Sequence, residues 1–222
     1  MRQANKIKVV SFDVEGTLVT PRFSESIWHE AMPKLYAEKS SLSLEQAKDR
    51  IKKEYDRVGE YKIEWYDIKY WFKYFGFSDY QGLLNAHRHE VFYYPEVKDV
   101  LTYLGRKYRL IATSGSPREF LNILLADIKD YFSSIFSSIS DYSQLKSPSF
   151  YLQVCQKLGV APNEMAHVGD NRDFDCLAPR QAGIRAFYLD RDGNGEGCDT
   201  VRDLRELWAR LTAAESNPFV SR

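Results

Sequence analysis

The stretch that decides the fold is Asp13-Val14-Glu15-Gly16-Thr17, which directly follows the apolar run Ile7-Lys8-Val9-Val10-Ser11-Phe12. A short β-branched run that ends in acid-x-acid-Gly-Thr is typical of a strand that delivers two carboxylates to its carboxyl end. The glycine then allows the backbone to turn tightly. Two carboxylates held close together repel each other unless a cation, such as a metal ion, lies between them. We therefore predict a functional site at the end of the first strand.

The bulk properties of the chain exclude several classes of partner. Its 222 residues suffice for one sizeable core, with or without a smaller attachment. Thirty-one basic and 31 acidic residues balance, so no bulk charge attracts the chain to nucleic acid or to a membrane surface. No segment approaches the ~20 apolar residues that a membrane-spanning helix needs. We expect neither nucleic acid nor membrane among its partners.

The cysteines predict the cellular compartment. Cys155, Cys176 and Cys198 are odd in number, widely spaced and without a Cys-x-x-Cys pair. This pattern argues against structural disulfides and against a zinc site, and it fits a reducing cytoplasm. The apolar run near the N-terminus is too short for the core of a signal peptide. We therefore expect a cytoplasmic protein.

The second half of the chain alternates short apolar runs with helical patterns. Such alternation predicts a parallel sheet that is covered by helices on both faces. The fold class is therefore predicted as α/β, with a doubly wound parallel sheet. The expected strands after the first are 109–113, 135–136, 165–168 and 184–189.

A long segment between the first two predicted strands has a different sequence pattern. Residues 20–92 contain helical caps and stops, such as Ser43 with Gln46, but no convincing strand. A parallel connection normally needs one crossover helix, so a segment of this length predicts a separate lobe. The expected domains are an α/β core of residues 1–19 and 93–222 and an all-helical insertion of residues 20–92.

Aromatic residues are concentrated in a predicted helix over 64–75 of this insertion. One stripe is formed by Trp65, Ile68, Phe72 and Phe75 and is expected to pack inside the lobe. Tyr66, Tyr70 and Tyr74 form a second stripe. The sequence leaves open whether this tyrosine stripe lines a cleft, forms a subunit contact or is partly buried.

Polar side chains follow several of the predicted strands. In open parallel sheets, ligands bind beyond the carboxyl ends of the strands, so these side chains are expected to meet at one edge. Carboxylates there suit Mg²⁺, a lysine offers a positive charge to phosphate, and hydroxyls donate to phosphate oxygens. A carboxylate can also attack phosphorus directly, and a neighbouring acid can protonate the leaving oxygen. The set comprises Asp13, Glu15, Thr113, Ser114, Asp170, Asp173 and Asp175, with Lys146 in a loop.

Four motifs in this order make the chain resemble the haloacid dehalogenase-like hydrolase superfamily along nearly its whole length. Asp13-Val14-Glu15-Gly16-Thr17 resembles the first motif, DxDGT, and Ile111-Ala112-Thr113-Ser114 the second. Lys146 resembles the lysine of the third motif, and the stretch from Gly169 to Asp175 resembles the fourth, GDxxxxD. The resemblance implies a Rossmann-like core, and it identifies the insertion as the helical cap that closes over the active site.

The resemblance also implies a role for each matching residue. Asp13 would be the nucleophile, and Glu15 the general acid/base. Mg²⁺ would be held by Asp13, Asp170, Asp175 and the main-chain carbonyl of Glu15, although Asp175 could instead support the other ligands. Asp173 would support the metal ligands without contacting the ion, or would be an acid at a helix N-terminus that the helix dipole favours. The phosphoryl group would be held by Thr113, Ser114, Gly115 and Lys146.

Glu15 is the main departure from the family pattern, because aspartate is usual at this position. The extra methylene displaces the carboxyl group by about a bond length, although the acid/base function is kept. A halide needs no proton on leaving, whereas an alkoxide does, so an acid here favours a phosphatase that acts on a small phosphorylated metabolite. The alternatives are a phosphomutase, a 2-haloacid dehalogenase, an enolase-phosphatase-like enzyme and a non-catalytic binding protein. The chain could be a monomer or a homodimer.

Overall fold

A computed structural model describes residues 6–193 and 199–216, with side chains as far as residue 212. Its centre is a six-stranded, all-parallel sheet in the order β3-β2-β1-β4-β5-β6. This arrangement confirms the predicted doubly wound α/β fold. The strands are β1 (Val9–Phe12), β2 (Arg109–Ser114), β3 (Ser134–Ser137), β4 (Met165–Gly169), β5 (Arg185–Leu189) and β6 (Asp199–Val201).

The central strands are those whose sequences are most continuously apolar. Every residue of β1 and of β4 is buried, as expected for strands covered by helices on both faces. β1 pairs with β2 on one side and with β4 on the other, so that Phe12 lies opposite Ala112 and Val168. The sequence did not predict β6, because its three residues include only one strongly apolar side chain.

The insertion between β1 and β2 is helical, as predicted. A first long helical segment begins as α1 (Arg22–Glu25), passes through a π-helical stretch (Ser26–Ala31) and continues as α2 (Met32–Ser40). Ser43 and Gln46 form the predicted capping box of the next helix. The remaining helices of this region are α3 (Leu44–Val58), α4 (Ile63–Tyr66), α5 (Ile68–Phe75) and α6 (Tyr80–Ala86).

The chain leaves and re-enters the core through two connections that run side by side. The amide of Thr20 donates to the carbonyl of Phe92 at 2.8 Å, and the amide of Tyr94 donates to that of Leu18 at 3.1 Å. These backbone hydrogen bonds fix the base of the insertion next to the end of β1. The core then continues with α7 (Val97–Gly105), α8 (Arg118–Leu124), α9 (Ser138–Tyr142), α10 (Pro148–Leu158), α11 (Ala178–Gln181) and α12 (Leu204–Ser216).

The helix predicted over 64–75 is interrupted at Asp67. Asp67 has an extended backbone (φ −88°, ψ 105°), and its carboxylate accepts a hydrogen bond from the amide of Lys69 at 2.9 Å. Aspartate is a preferred N-cap, so the same residue ends α4 and begins α5. The break changes which aromatic side chains point inward. Trp71 is fully buried, whereas Trp65 is only half-buried.

The break also divides the tyrosine stripe. The hydroxyl of Tyr74 donates to Glu54 at 2.7 Å and accepts from Arg57 at 3.1 Å, on the outside of the insertion. The ring of Tyr70 packs at 80° against Trp71. Tyr66 belongs to α4 instead and lies close enough to Lys146 for that charge to act on its phenol. Of the three tyrosines, Tyr66 is the one whose pKa is affected by Lys146.

The predictions on membrane-spanning helices and on cysteines have different outcomes. Among the described helices, none combines the length and the apolar character that crossing a bilayer requires. Cys155 is a buried free thiol. Cys176 is disulfide-bonded, and its partner lies outside the described residues. The prediction that disulfides are absent is therefore wrong for Cys176, and the argument for a reducing compartment loses its basis.

Candidate active site

The centre of the site is the carboxylate of Asp13, at the carboxyl end of β1. Its backbone amide donates to the carbonyl of Val168 at 2.9 Å, which continues the pairing with β4 past the end of the strand. The side chain of Asp13 is almost completely buried. Burial raises its pKa well above the usual value, Lys146 opposes this rise, and Asp175 and Asp170 add to it. Asp13 is therefore a carboxylate whose ionised form needs nearby positive charge.

Lys146 supplies part of that charge. It lies in the loop before α10, which Ser147 caps by accepting from the amide of Phe150. Its Nζ donates to Oδ1 of Asp13 at 2.6 Å and to Oδ1 of Asp175 at 2.5 Å. Burial lowers the pKa of Lys146, but the two carboxylates outweigh burial and raise it, so the side chain remains a cation.

Asp175 is the second carboxylate that pairs with Lys146. It lies in a π-helical turn (Arg172–Leu177) whose first amides are capped by Asn171. Its second oxygen accepts from the amide of Asn171 at 3.1 Å. Burial raises the pKa of Asp175, but Lys146 and His167 outweigh burial and lower it to about 2. Asp175 is thus a permanent anion that fixes the position of Lys146.

A buried hydrogen-bond network supports the site from the sheet. His167 on β4 contacts Asp175 through Nε2 at 3.0 Å and Ser11 on β1 through Nδ1 at 2.9 Å. The hydroxyl of Tyr151 lies 3.0 Å from the same Nε2 and donates to a backbone carbonyl at 2.8 Å. Burial lowers the pKa of His167, so a neutral ring with one donor and one acceptor nitrogen fits this position. The sequence did not indicate that His167 contacts Asp175.

Thr113 and Ser114 lie at the buried end of β2. The side chain of Thr113 is inaccessible to solvent, and its hydroxyl lies 2.7 Å from that of Ser11. A Cβ built on Gly115 would lie 3.9 Å from Cε of Lys146, so the backbone of Gly115 lies close to that lysine. The roles of Thr113 and Ser114 in holding a phosphoryl group stay predictions.

Glu15 lies on the other side of Asp13, beside the start of α8. Its Oε2 accepts a hydrogen bond from the hydroxyl of Ser116 at 2.8 Å. Burial raises the pKa of Glu15, the hydrogen bond from Ser116 opposes the rise, and Glu25 adds to it. A carboxyl group whose pKa is raised holds its proton more readily than an ordinary glutamate, as a general acid requires. The sequence predicted the acid, whereas Ser116 as its partner was missed.

The three aspartates fit a divalent cation. One oxygen from each of Asp13, Asp170 and Asp175 lies within 4.8 Å of the others. A Cβ at Gly16 would lie 1.9 Å from Oδ2 of Asp170, so glycine there leaves room for that carboxylate. Although Asp170 keeps an exposed edge, partial burial and the charge of Asp175 raise its pKa to about 6. Oxygen donors that repel each other are the environment that Mg²⁺ prefers.

Arg191 is a residue of this region that the sequence did not reveal. It follows β5, and its guanidinium donates to the carbonyl of Thr17 at 2.9 Å and to that of Gly16 at 3.3 Å. It also pairs with the buried Glu96 at 2.8 Å, and its Cζ lies 3.5 Å from the centre of the Tyr94 ring. Arg191 thereby fixes the loop that carries Glu15. No local pattern marks such a contact, which joins residues about 175 positions apart.

A model of the haloacid dehalogenase-like hydrolase family matches residues 7–183. The chain belongs to this family. The match includes Asp13, Lys146, Asp170 and Asp175 and the helical insertion between β1 and β2. It confirms the resemblance that the four motifs indicated.

The curated relatives that match are phosphatases. A phosphoserine phosphatase of Thermus thermophilus is 32% identical over 117 residues, which are 50% of this chain and 46% of the relative. A phosphoglycolate phosphatase of Chromobacterium violaceum is 35% identical over 124 residues, which are 52% of this chain and 54% of the relative. The chain thus spans about half the length of the curated relatives that it matches.

Solved structures extend the likeness to the whole fold. A HAD phosphatase from Thermococcus onnurineus superposes with a TM-score of 0.83 at 26% identity, covering 92% of this chain and 98% of that protein. A 2-haloacid dehalogenase from Pseudomonas syringae superposes with a TM-score of 0.67 at 21% identity, covering 94% and 99%. The second likeness shows the fold alone. The fold therefore does not decide between phosphate esters and halides.

Proposed function

We propose that this protein is a Mg²⁺-dependent phosphatase that hydrolyses a small phosphate monoester through a phosphorylated Asp13. The observation that carries the proposal is the difference between the two carboxyl groups that follow β1. Asp13 is paired with Lys146, whereas Glu15 is held by Ser116 and has a raised pKa. One carboxylate can act as a nucleophile while the other carries a proton, which is the division of labour that phosphoester hydrolysis requires.

In the first step, an oxygen of Asp13 attacks phosphorus and the bond from phosphorus to the alcohol oxygen breaks. Glu15 in its acid form donates its proton to that departing oxygen, so that a neutral alcohol leaves. Lys146, Ser114 and the amide of Gly115 hold the phosphoryl oxygens. The products of this step are the alcohol, an acyl phosphate on Asp13 and an ionised Glu15.

In the second step, Glu15 removes a proton from a water molecule as the water attacks phosphorus. The bond between phosphorus and the Asp13 oxygen breaks, inorganic phosphate leaves, and both carboxyl groups return to their starting forms. Each proton that Glu15 gives in the first step is thus recovered in the second. General acid/base catalysis of this kind is typically worth ~10²–10⁴ in rate.

Asp13, Asp170 and the main-chain carbonyl of Glu15 are the groups that we propose to hold Mg²⁺, with Asp175 behind them. When bound, the ion offsets the charge of these carboxylates and of the phosphate. Asp173 is exposed and 4.0 Å from Arg172, which supports its predicted place outside this set.

Two other activities share most of these residues. A dehalogenase needs no acid at position 15, so the hydrogen-bonded Glu15 favours an alkoxide leaving group. A phosphomutase would use the same groups and differ only in excluding water. We propose residues 20–92 as the cap that closes this site, because Tyr66 from the insertion lies near Lys146. The substrate proposed is a small phosphorylated metabolite.

The test is the release of inorganic phosphate from p-nitrophenyl phosphate and from a panel of phosphorylated metabolites, with and without Mg²⁺. The wild-type protein should release phosphate only with Mg²⁺, and Asp13→Asn should abolish release while folding normally by circular dichroism. Transfer of the phosphoryl group to a second hydroxyl without phosphate release would indicate a mutase. Equal rates in the wild-type and Asp13→Asn proteins would contradict the mechanism.

A further inference from the structure

The side chain of Glu15 is held by a segment far from it in the sequence. Glu15 follows β1, whereas its hydrogen-bond partner Ser116 precedes α8, 101 positions further along the chain. The Ser116 hydroxyl donates to Oε2 of Glu15 at 2.8 Å, and it donates to no other group among the described residues. The orientation of the proposed acid therefore depends on a contact between two loops.

The backbone of Ser116 is itself fixed on both sides. Its amide donates to the hydroxyl of Ser114 at 3.1 Å, and its carbonyl accepts from the hydroxyl of Ser137 at 2.8 Å. Ser137 in turn accepts from the amide of Ser140 at 3.0 Å, as the N-cap of α9. Pro117 favours an extended backbone at the residue before it. These contacts hold Ser116 in place, so its hydroxyl can set the position of a carboxyl group.

The length of the Glu15 side chain matches this partner. Aspartate, which is usual at this position in the family, is shorter by one C–C bond of ~1.5 Å. With the same backbone, its carboxyl oxygen would lie roughly 4 Å from the Ser116 hydroxyl, which is beyond hydrogen-bond range. The contact to Ser116 therefore requires the longer acid.

Ser24 is the other hydroxyl group near Glu15. Burial raises the pKa of Glu15, and the nearby hydroxyl of Ser24, in α1 of the insertion, opposes that rise. The Oγ of Ser24 is buried, however, and makes no hydrogen bond with any described residue. Ser116 is therefore the hydroxyl whose geometry holds the carboxyl group, and Ser24 is the natural comparison.

We propose that Ser116 is a positioning residue, which fixes the carboxyl group of Glu15 so that one defined oxygen serves the leaving alcohol. A protonated carboxyl group has one O–H donor, and its other oxygen remains an acceptor. Because Oε2 accepts from Ser116, the proton of the acid form lies on Oε1. Oε1 gives this proton to the alcohol oxygen as the bond to phosphorus breaks, and it takes a proton from water in the second step. This inference rests on the proposed phosphatase function and adds a residue to its machinery.

The first experiment compares two esters, with the full chain and Mg²⁺. The alkoxide of ethyl phosphate needs a proton on leaving, whereas p-nitrophenolate does not, and kcat/KM reports the reaction up to the departure of the alcohol. In Ser116→Ala, we expect the ratio of kcat/KM for p-nitrophenyl phosphate to that for ethyl phosphate to rise about tenfold, which is the effect of one hydrogen bond. Ser116→Thr keeps the hydroxyl and should restore the ratio. The matched control is Ser134→Ala, which removes a hydroxyl at the other end of β3 and should leave the ratio unchanged.

Three outcomes of this experiment would overturn the inference. An unchanged ratio in a Ser116→Ala protein that is folded by circular dichroism would show that Ser116 does not orient the acid. A larger change in Ser24→Ala than in Ser116→Ala would assign that role to the insertion. Hydrolysis of p-nitrophenyl phosphate without hydrolysis of ethyl phosphate by the wild-type protein would show that no acid serves an alkoxide here. If the wild-type protein hydrolyses neither ester, the proposed function itself fails, and the inference fails with it.

The second experiment tests whether Glu15 and Ser116 act as a pair. Glu15→Asp withdraws the carboxyl group from Ser116, so adding Ser116→Ala to Glu15→Asp should change the same ratio by less than about twofold. Such non-additivity is expected of residues in direct contact. The measurement is a double-mutant cycle of the wild-type protein, the two single variants and the double variant. An equal factor for Ser116→Ala in both backgrounds would contradict the pairing.

Discussion

The two walls of the candidate site are built from opposite kinds of residue. The core wall is charged and cross-linked, with Asp13, Lys146 and Asp175 joined by hydrogen bonds of 2.5–2.6 Å and supported from behind by His167. The insertion, which we propose as the second wall, is aromatic, and the ring of Tyr55 packs at 89° to Trp28 and at 70° to Trp71.

We expect this difference to separate the reaction, which the core wall carries out, from the choice of substrate, which depends on the insertion. The ion pairs of the core wall offset the cost of desolvating its buried charges only when every group keeps its partner. Substitutions of these residues should therefore be poorly tolerated. We propose that the insertion closes over the leaving group, so that changes in it alter which substrate is preferred. Core variants other than those of the proton carrier Glu15 and its partner Ser116 should therefore reduce the rate for all substrates by similar factors, whereas insertion variants should change the ratios between substrates.

The largest expected effect is that of removing the buried cation. Lys146→Met leaves Asp13 and Asp175 without their shared partner, which should lower the free energy of unfolding by about 3–5 kcal/mol and abolish activity on every ester. Urea unfolding measures the first effect and phosphate release the second. Lys62→Met, at an exposed position of the insertion, should change stability by less than about 0.5 kcal/mol. A stable and active Lys146→Met protein would show that the core wall does not depend on this pair.

The next effect concerns the proton carrier. Glu15→Gln keeps the shape of the side chain but cannot donate a proton, so kcat for alkyl phosphates should fall by about 10²–10⁴. p-Nitrophenyl phosphate should be less affected in its first step, because p-nitrophenolate leaves without protonation. Steady-state kinetics on the two kinds of ester provide the comparison. An equal loss for both would remove the assignment of Glu15 as the acid for the leaving group.

The third prediction concerns metal binding. At 100 times its Kd, Mg²⁺ should raise the free energy of unfolding of the wild-type protein by about 2.7 kcal/mol. Asp170→Asn removes one of the clustered carboxylates and should abolish most of that stabilisation. Asp173→Asn, which changes an exposed acid that lies between Asp170 and Asp175 in the sequence but outside the cluster, should retain it. Thermal unfolding with and without Mg²⁺ measures all three proteins, and equal stabilisation of both variants would exclude Asp170 as a ligand.

The smallest expected effect comes from Arg191. Arg191→Lys keeps the charge but cannot contact both carbonyls and Glu96, so the loop that carries Glu15 should be less well held. A misplacement of about 1 Å can cost up to ~10²-fold in rate, and for this partial loss we expect a decrease of kcat of about tenfold with little change in KM. The decrease should be the same for every ester. A change in the ratios of the rates for different esters would indicate that Arg191 affects the choice of substrate instead.

Local signals in the sequence predicted much of this arrangement. The strand before Asp13 and the carboxylates that follow β4 are each marked within a few residues, and parallel topology then brings them together. Asp67 was overlooked as a cap inside a periodic aromatic pattern.

Contacts between distant segments could not be predicted in the same way. The bonds of Arg191 to the Gly16–Thr17 backbone, of Ser116 to Glu15 and of His167 to Asp175 depend on the packing of separate elements. The disulfide of Cys176 was missed for a similar reason, since spacing alone does not reveal which cysteines approach each other. The domain limits 1–19, 20–92 and 93–222, the Mg²⁺ ligands and the cytoplasmic location stay predictions.

The central claim is that Asp13 becomes phosphorylated during turnover. The most direct test is rapid mixing of the protein with Mg²⁺ and a substrate ester, acid quenching, reduction with borohydride and peptide mass spectrometry. An acyl phosphate is reduced to an alcohol, so we predict homoserine at position 13 in the wild-type protein and none when substrate is omitted. Release of phosphate during the same interval with position 13 unmodified at every quench time would contradict the account.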